Sequence, residues 1–350
     1  MRPLIAFISC LPCFIACARA PVAKEASSAA TSATTTADVA WTSALDRAHI
    51  LVGRIWDVAA RRFVDERTLT SAVVAAPLVV LGEQHDNADH HVLEARLIGA
   101  MSAAGRRPAL VAEMLDETVQ PKIDEVVAAH PKDAEAFARA VDWEHSGWPA
   151  WSLYRPVFAR ALGAGLPIVA AGLERERTMT IAHDGLAAVD PAVVRTFDLA
   201  APVPADVESA LESEMREAHC GLLPESMLAA MALIQRVRDA VMATHLTDAT
   251  HSDGAVLVAG DGHARSDRGV PALVARSLHR RVLAVGLVEV RHDWTAPEQY
   301  GEIFSTSAAA QPSGPLPFDY AWFTPRASDA DRCAELRSRG HQKNPKLAAP

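Results

Sequence analysis

The segment Gly82–His91, GEQHDNADHH, is rich in groups that transfer protons or bind metals, with three histidines and three acids. It directly follows a short aliphatic run, Pro77–Leu81, that has the composition of a buried strand. In an open α/β sheet, side chains on the turn after a parallel strand face the crevice where ligands bind. The position of Glu83 and His85 on this turn therefore predicts a chemical role for both.

The rest of this segment also allows a purely structural interpretation. Asp86 or Asn87 would cap the following helix, and His90 and His91 would be solvated side chains of its first turn. For Asn87, His90 and His91 both interpretations stay open. Glu83 and His85 are different, because neither is needed to form the turn.

Charged side chains also follow the next predicted strands. They are Glu113 after the second strand, Glu174 and Arg175 after the third, and Asp261 and His263 after the fourth. Because the strands of a parallel sheet end at one edge, we expect these side chains to meet in one pocket.

Such a pocket suits two kinds of chemistry. Carboxylates and histidines can supply the general acid and base for hydrolysis of an ester or amide. They also suit a hard or borderline divalent metal. The candidate catalytic residues are Glu83, His85, Glu113 and His263, and the candidate metal ligands are Glu83, His85 and His263.

Other active-site types lack their sequence patterns. The glycine-rich loop Gly260–Pro271 contains neither G-x-G-x-x-G nor G-K-[ST], so a nucleotide site is not predicted. No G-x-S-x-G occurs, and Cys220 is adjacent to His219, so that their side chains point apart. Serine and cysteine nucleophiles are therefore not favoured.

The elements that position these residues have the pattern of an α/β fold. Buried parallel strands are predicted at Leu78–Leu81, Ala109–Ala112, Pro167–Ala171, Ala255–Ala259 and Val282–Val290. Helices are predicted at Leu93–Ala104, Val119–Arg139 and Trp151–Ala164. The alternation indicates a mostly parallel, doubly wound sheet flanked by helices.

The alternation stops between Ala171 and Ala255, where the sequence contains helical patterns and no convincing strand. We therefore predict an inserted helical subdomain at about 175–250. Its last helix begins at Pro224 and carries Met227 and Met231 on its apolar side. Methionines in such a stripe usually fill a core, and a ligand-lining role is the alternative.

The two ends of the chain predict export and attachment to a membrane. Residues 1–17 have a basic start, a short apolar run and Ala16 before Cys17, which is typical of a lipoprotein signal with lipidation at Cys17. Residues 18–45, rich in Ala, Ser and Thr, are predicted to form a flexible tether. The predicted domain spans 46–326, and residues 327–350 are expected to be a disordered tail.

The cysteines and the net charge limit the cellular compartments and the partners that the sequence predicts. Cys10 and Cys13 form a C-x-x-C inside the segment that would be removed, whereas Cys220 and Cys333 either pair or stay free. Ala18 after the lipidated cysteine points to the outer membrane, if the source is Gram-negative. A formal net charge of -9 with interspersed signs argues against nucleic acid as a partner.

His219 suggests a different function from the strand-end residues. It is predicted to be exposed at a junction between helices, next to the methionine-lined helix, and so is a candidate axial ligand for haem. Since no C-x-x-C-H occurs, the haem would be bound non-covalently.

Seven blocks together resemble the ChaN family of iron-regulated, haem-binding lipoproteins, over about 51–287. They are LGEQHDNADHH (Leu81–His91), VAEML (Val111–Leu115), WEHSGWPAWSLYRPVFARA (Trp143–Ala161), GLPIVAAGLER (Gly165–Arg175), HCGLLP (His219–Pro224), QRVRDAVMA (Gln235–Ala243) and VLVAGDGHARSDRGVP (Val256–Pro271). The resemblance implies an α/β domain with a helical subdomain, lipid anchoring, haem bound between two protomers, and a role in haem or iron uptake. A homodimer and an outer-membrane receptor are the protein partners expected on this basis.

The family's ligand set is only partly present in the sequence. The resemblance implies a tyrosine near the start of the domain and a histidine from the partner protomer as iron ligands. This chain has Tyr154, Tyr300 and Tyr320, none near that start, and His219 is the best match for the histidine. A wider resemblance to erythromycin esterases and TraB/TIKI proteases implies catalytic Glu and His at the strand ends, which supports the hydrolase alternative.

Overall fold

The computed structural model describes residues 39–249, 253–302 and 316–331, together with 333, 334 and 337. The predicted signal segment, with Cys17, and tether residues 18–38 lie outside these ranges. The described chain forms an eight-stranded sheet with the order β2-β1-β8-β7-β3-β6-β4-β5. The strands are β1 Ile55–Asp57, β2 Arg62–Val64, β3 Leu78–Glu83, β4 Ala109–Asp116, β5 Ile168–Gly172, β6 Ala255–Gly260, β7 Leu283–Glu289 and β8 Tyr320–Thr324.

The larger part of the sheet is parallel, as the aliphatic runs predict. β3 lies between β6 and β7, and β4 lies between β6 and β5, all in parallel pairs. The carboxyl ends of β3, β4, β5 and β6 therefore lie at one edge of the sheet.

One end of the sheet is antiparallel and was not predicted. β1 pairs antiparallel with both β2 and β8, while β8 pairs parallel with β7. β1 and β2 contain three residues each, and a run this short gives no reliable period-two signal.

Ten α-helices accompany the strands in the described chain. They are α1 Glu66–Ala75, α2 Ala88–Ala103, α3 Gln120–Ala129, α4 Ala134–Ala140, α5 Trp151–Ala164, α6 Arg175–Asp184, α7 Pro191–Thr196, α8 Ala205–Ala218, α9 Glu225–Asp248 and α10 Val270–Leu278. The helices α6 to α9 occupy the predicted insertion, and α9 follows Pro224 as expected.

The prediction of a single helix at Val119–Arg139 was wrong, because α3 ends at Ala129 and α4 begins at Ala134. Pro131 disfavours a helical conformation of His130 before it. Asp133 then caps α4, since its side chain accepts the backbone N–H groups of residues 135 and 136.

Alternate residues of β3 bury themselves on opposite faces of the sheet, as expected for a strand covered on both sides. Leu78 and Val80 join a core with α9 and α10. Val79 and Leu81 join the core formed with α2 and α5. The strand is thereby held between two packed layers, which fixes the position of Glu83 at its end.

Both ends of the described chain contact the domain. The backbone N–H groups of Thr42 and Ser43 donate to Asp89 at 2.6 and 2.9 Å, so contacts with the domain begin before residue 46. Cys220 and Cys333 form a disulfide, with their Cα atoms 5.3 Å apart. Within the described residues, no helix combines the length and apolarity needed to cross a membrane.

Candidate functional site

Glu83 ends β3 with a side chain that is almost fully buried. Its Oε1 accepts the Tyr154 hydroxyl at 2.9 Å and lies 2.9 Å from Nδ1 of His85. Its Oε2 lies 2.8 Å from Nδ1 of His91. Glu83 is therefore the centre of a group that we name the β3 cluster: Glu83, His85, His91, Glu94 and Tyr154.

The helix α2 contributes His91 and Glu94 to this cluster. His91 Nδ1 lies 3.2 Å from Glu94 Oε2, and His91 Nε2 lies 3.2 Å from the carbonyl oxygen of His85. Both side chains are fully buried, so His91 is not a solvated first-turn residue. The three-residue spacing on one helix face could have indicated Glu94, but no local signal indicates Tyr154 on α5.

Burial and charge set the protonation of this cluster. Burial alone would raise the pKa of Glu83, but the charge of His91 lowers this pKa to about 2. Burial alone would lower the pKa of His91, but the charge of Glu83 raises it to about 10. Burial and the charge of Glu83 raise the pKa of Glu94 to about 8. At neutral pH, Glu83 and His91 thus form a buried ion pair beside a largely protonated Glu94.

A second group forms between β4 and the loop after β6; we name Glu113, Arg238, Asp239 and His263 the His263 cluster. Glu113 Oε2 accepts the backbone N–H of Gly260 at 2.7 Å. Its Oε1 lies 2.5 Å from Arg238 Nη2 and 3.4 Å from His263 Nε2. His263 Nδ1 lies 2.7 Å from Asp239 Oδ1. The imidazole therefore lies between two carboxylates.

The charges of the His263 cluster follow from this arrangement. Burial alone would lower the pKa of His263, but Glu113 and Asp239 raise it to about 9. Burial opposes ionisation of Glu113, yet His263 and Arg238 hold its pKa well below the usual range. His263 is thus a cation at neutral pH and suits the role of proton donor better than that of base.

His85 is the member of the β3 cluster that solvent reaches. Its side chain is 37% exposed, whereas Glu83, Glu113 and His263 are each buried. A Cβ on Gly260 would lie 3.0 Å from His85 Nε2 and 3.7 Å from Glu113 Oε2, so glycine leaves room for His85 against β6. Burial opposes protonation of His85, but its hydrogen bond with Glu83 and the charge of Glu113 raise its pKa.

The structure favours a different candidate metal site from the predicted one. The ligand atoms of Glu83, His91 and Glu94 all lie within 4.8 Å of one another, and among the described residues they form the one such group. This group does not contain His85 or His263, the other two predicted ligands. A divalent ion there would displace the protons of His91 and Glu94.

Other strand-end residues do not join the two clusters by direct contact. Glu174 lies at the amino end of α6, and Arg175 is exposed. Asp261 accepts a hydrogen bond from the Gln84 side chain at 2.5 Å. Burial and the charge of Glu214 raise the pKa of Asp261 to about 6.

Asn87 and His90 have structural roles beside the β3 cluster. Asn87 caps α2 by accepting the backbone N–H of Asp89 at 2.9 Å, as predicted. His90 is fully buried; its Nδ1 accepts the backbone N–H of Gln84, and its Nε2 is 2.8 Å from Thr324 Oγ1. His90 is therefore part of the core rather than a solvated side chain.

His219 lies at the carboxyl end of α8 and belongs to neither the β3 cluster nor the His263 cluster. Its Nδ1 lies 2.8 Å from the carbonyl oxygen of Met215. Because a carbonyl only accepts, this contact places the proton on Nδ1 and leaves Nε2 with a free electron pair. Leu222 and Met227, which follow in the chain, are 52% and 42% exposed. Two exposed apolar side chains therefore follow the half-buried His219 in the chain.

None of the three tyrosines has the position that the family resemblance implies for a tyrosine ligand of the haem iron. Tyr154 and Tyr300 are fully buried. Tyr154 donates to Glu83, and Tyr300 donates to the carbonyl oxygen of Trp294 at 3.1 Å. Tyr320 lies in β8, far in sequence from the start of the domain.

A family model described as "Haem-binding uptake, Tiki superfamily, ChaN" matches residues 69–274, which is more than half of the chain. The chain belongs to this family. The match includes the β3 cluster, the His263 cluster and His219. No curated protein matches the sequence of this ChaN-family chain.

One solved structure supports the fold of this ChaN-family member, and two others are more distantly similar. A structure of cofacial haem binding to ChaN of Campylobacter jejuni is 18% identical, with a TM-score of 0.55, and covers 77% of this chain and 95% of that chain. The type III effector HopBA1 is 14% identical, with a TM-score of 0.41 over 74% of this chain and 92% of that one. A Bacillus cereus protein is 12% identical, with a TM-score of 0.33 over 67% and 75%.

Proposed function

We propose that this protein binds haem non-covalently at the α8–α9 junction, with His219 as one axial ligand. The observation that carries the proposal is the contact of His219 Nδ1 with the Met215 carbonyl oxygen. A histidine fixed in this way offers Nε2 to a metal, which is the usual arrangement of a metal-binding imidazole. Membership of the ChaN family supports haem as the group bound.

The surface beside His219 suits a porphyrin. The exposed side chains of Leu222 and Met227 provide apolar area in the segment that follows the histidine. Exposed apolar patches of this kind mark ligand or partner surfaces. The second axial position has no assigned residue in this chain, and a second copy, as the family's shared haem implies, is the proposed source of further contacts.

The physiological role proposed is haem or iron acquisition by a lipoprotein anchored through Cys17. The Cys220–Cys333 disulfide supports export, because such bonds persist mainly outside reducing compartments. An outer-membrane location applies if the source is Gram-negative, and a receptor there is the expected partner. Release of Cys17→Ala from the membrane fraction tests the anchor.

The haem proposal is tested by titrating the purified protein with haem and following the Soret band, with His219→Ala alongside. We expect saturable binding that weakens about tenfold or more in the variant, equivalent to roughly 1.4 kcal/mol. His183→Ala, which removes an exposed histidine of α6, is the control and should bind like wild type. Equal affinity of His219→Ala and wild type would contradict the assignment.

A second candidate function is hydrolysis of an ester or amide at the strand ends. The observation in its favour is the position of His85, exposed to solvent over Glu83 and close to Glu113 Oε2 at Gly260. His85 would act as the proton-accepting or metal-binding group, with the charged His263 behind it as a proton donor.

Two variants separate the two functions. His85→Ala should abolish hydrolysis of a panel of esters and amides, assayed with and without added divalent metal, and leave haem binding intact. His219→Ala should do the reverse. If neither variant differs from wild type in either assay, neither site has its proposed function.

A further inference from the structure

A cavity of about 420 Å³ lies between the loop 198–204, α8, α9, the segment before α10 and α10 itself. Its size falls in the range of small-molecule binding sites. Its apolar lining includes Leu199, Pro202, Val203, Val207, Leu211 and Leu273. The cavity also reaches Asp239, the partner of His263, but no residue assigned to haem binding lines it.

Two arginines line this cavity without an ion pair. Arg236 is half-buried and donates from Nη2 to the Leu199 carbonyl oxygen at 3.0 Å. Arg276 is exposed, and within the described residues neither arginine forms a salt bridge. Burial lowers the pKa of Arg236, and the like charge of Arg276 lowers it further, although Glu208 and Asp239 oppose this. The two cations thus lie close enough to repel each other.

A third arginine has a buried donor group without a hydrogen bond. The side chain of Arg268 is 7% exposed and donates from Nε and Nη2 to Glu214. Its Nη1 is buried and has no hydrogen-bond partner among the described residues, although Asp267 Oδ2 lies 3.6 Å away. A buried donor of this kind requires an acceptor, and an anion in the cavity would provide one.

Of the acids that line the cavity, Asp267 lies 3.6 Å from Arg268, but none forms a salt bridge with Arg236 or Arg276 within the described residues. Asp239 is bonded to His263, and Asp267 is bonded to Arg265. Asp198 is exposed and forms no salt bridge within the described residues. The unpaired charge facing the cavity is therefore mainly positive, beside apolar walls.

We propose that this cavity binds a small aliphatic carboxylate, with its carboxylate on Arg236, Arg268 and Arg276 and its alkyl chain on the apolar walls. The planar guanidinium group matches a carboxylate in charge and in geometry. The alkyl chain gains free energy by leaving water for the side chains of α8 and α10. The site is separate from the haem surface and does not depend on it.

The test is calorimetric titration of the full chain with sodium octanoate as the probe. We expect saturable binding at a single site, and binding of octanol weaker by about tenfold or more because it lacks the charge. Octanol binding as tightly as octanoate would overturn the proposal. So would inorganic phosphate or acetate binding as tightly, because the apolar walls would then contribute nothing.

Variants locate the site. Arg276→Met should weaken octanoate binding about tenfold, and because Arg276 is exposed this change should not impair folding. Arg236→Met should weaken octanoate binding as well. Arg67→Met, an exposed arginine of α1, is the matched control and should bind octanoate like wild type. Normal octanoate binding by Arg276→Met and a folded Arg236→Met would refute the proposal.

Octanoate titration in the presence of haem distinguishes failure of this inference from failure of the proposed function. Octanoate should bind equally well to wild type, to His219→Ala and to protein saturated with haem. If haem displaces octanoate, the cavity belongs to the haem site and the separate ligand is disproved. If haem fails to bind but octanoate does, only the proposed function fails.

Discussion

The adjacent residues His90 and His91 differ in charge at neutral pH, since His90 is neutral and His91 is a cation. The sequence alone does not distinguish them. Burial lowers the pKa of His90 to about 3, and its Nδ1 accepts a backbone N–H. His91 faces Glu83 and is charged. Their positions on α2 differ by one residue, so that only one of them faces the carboxylate at the end of β3. The sequence predicts the location of this chemistry but not which histidine takes part.

Glu94→Gln tests the protonation of the β3 cluster. Because the pKa of Glu94 is raised from 4.5 to about 8, the folded state holds a proton that the unfolded state releases, and stability falls as pH rises through this window. The variant lacks this dependence. Between pH 5 and pH 8, wild type should lose about 1–3 kcal/mol relative to the variant.

Urea unfolding at the two pH values measures this difference. The exposed acid Glu125 of α3 provides the control, because Glu125→Gln should follow wild type. Parallel pH profiles of wild type and Glu94→Gln would show that Glu94 is ionised in the folded protein.

At the scale of elements, the strong aliphatic runs predict the central strands. The short strands and the broken helix were not predicted correctly. β3 and β6 are found where expected, extended by one or two residues into the site. The helix break at Pro131 had a sequence signal, namely the proline and the capping Asp133. In the His263 cluster, Glu113 and His263 had a common signal in their strand-end positions, whereas Arg238 and Asp239 on α9 had none.

A glycine governs how β4 and β5 approach each other. The register between these strands shifts between Ala112 and Asp116, and Glu113 lies within that irregularity. A Cβ on Gly172 would collide with the carbonyl oxygen of Glu113 and lie 2.9 Å from that of Leu115. The absence of a side chain at Gly172 therefore allows the backbone around Glu113 to bend over β5.

Gly172→Ala should destabilise the protein by about 1–3 kcal/mol, because backbone must move to admit the methyl group. Gly163→Ala, near the end of α5, would place its Cβ more than 4 Å from other parts of the described chain and should instead stabilise the protein by about 0.5–1 kcal/mol. Chemical unfolding of both variants gives the comparison. Equal effects of the two substitutions would refute the role assigned to close approach.

At the scale of the whole molecule, the Cys220–Cys333 disulfide links the α8–α9 junction to the carboxyl-terminal segment across 113 residues. The sequence left open whether Cys220 and Cys333 pair or stay free, because an exported chain allows either state. A bond over so long a loop restricts the unfolded chain strongly. Its removal should therefore affect stability more than any single surface contact.

Cys220→Ser with Cys333→Ser should lower the free energy of unfolding by about 2–4 kcal/mol. Reductant should lower the melting temperature of wild type and leave that of the double variant unchanged. A wild-type melting temperature that ignores reductant, in protein shown to lack free thiols, would contradict this expectation.

The position of this bond also determines when the protein can be completed during synthesis. Ribosomes add residues from the amino end, so every strand of the sheet is made before Cys333 appears. Cys220 lacks its partner Cys333 throughout that interval, while the parallel strands, which pair slowly, are already able to assemble. A truncated product that ends between Thr324 and Cys333 would contain every described strand and would still carry the Cys220 thiol, so thiol labelling would distinguish it from the finished, oxidised chain.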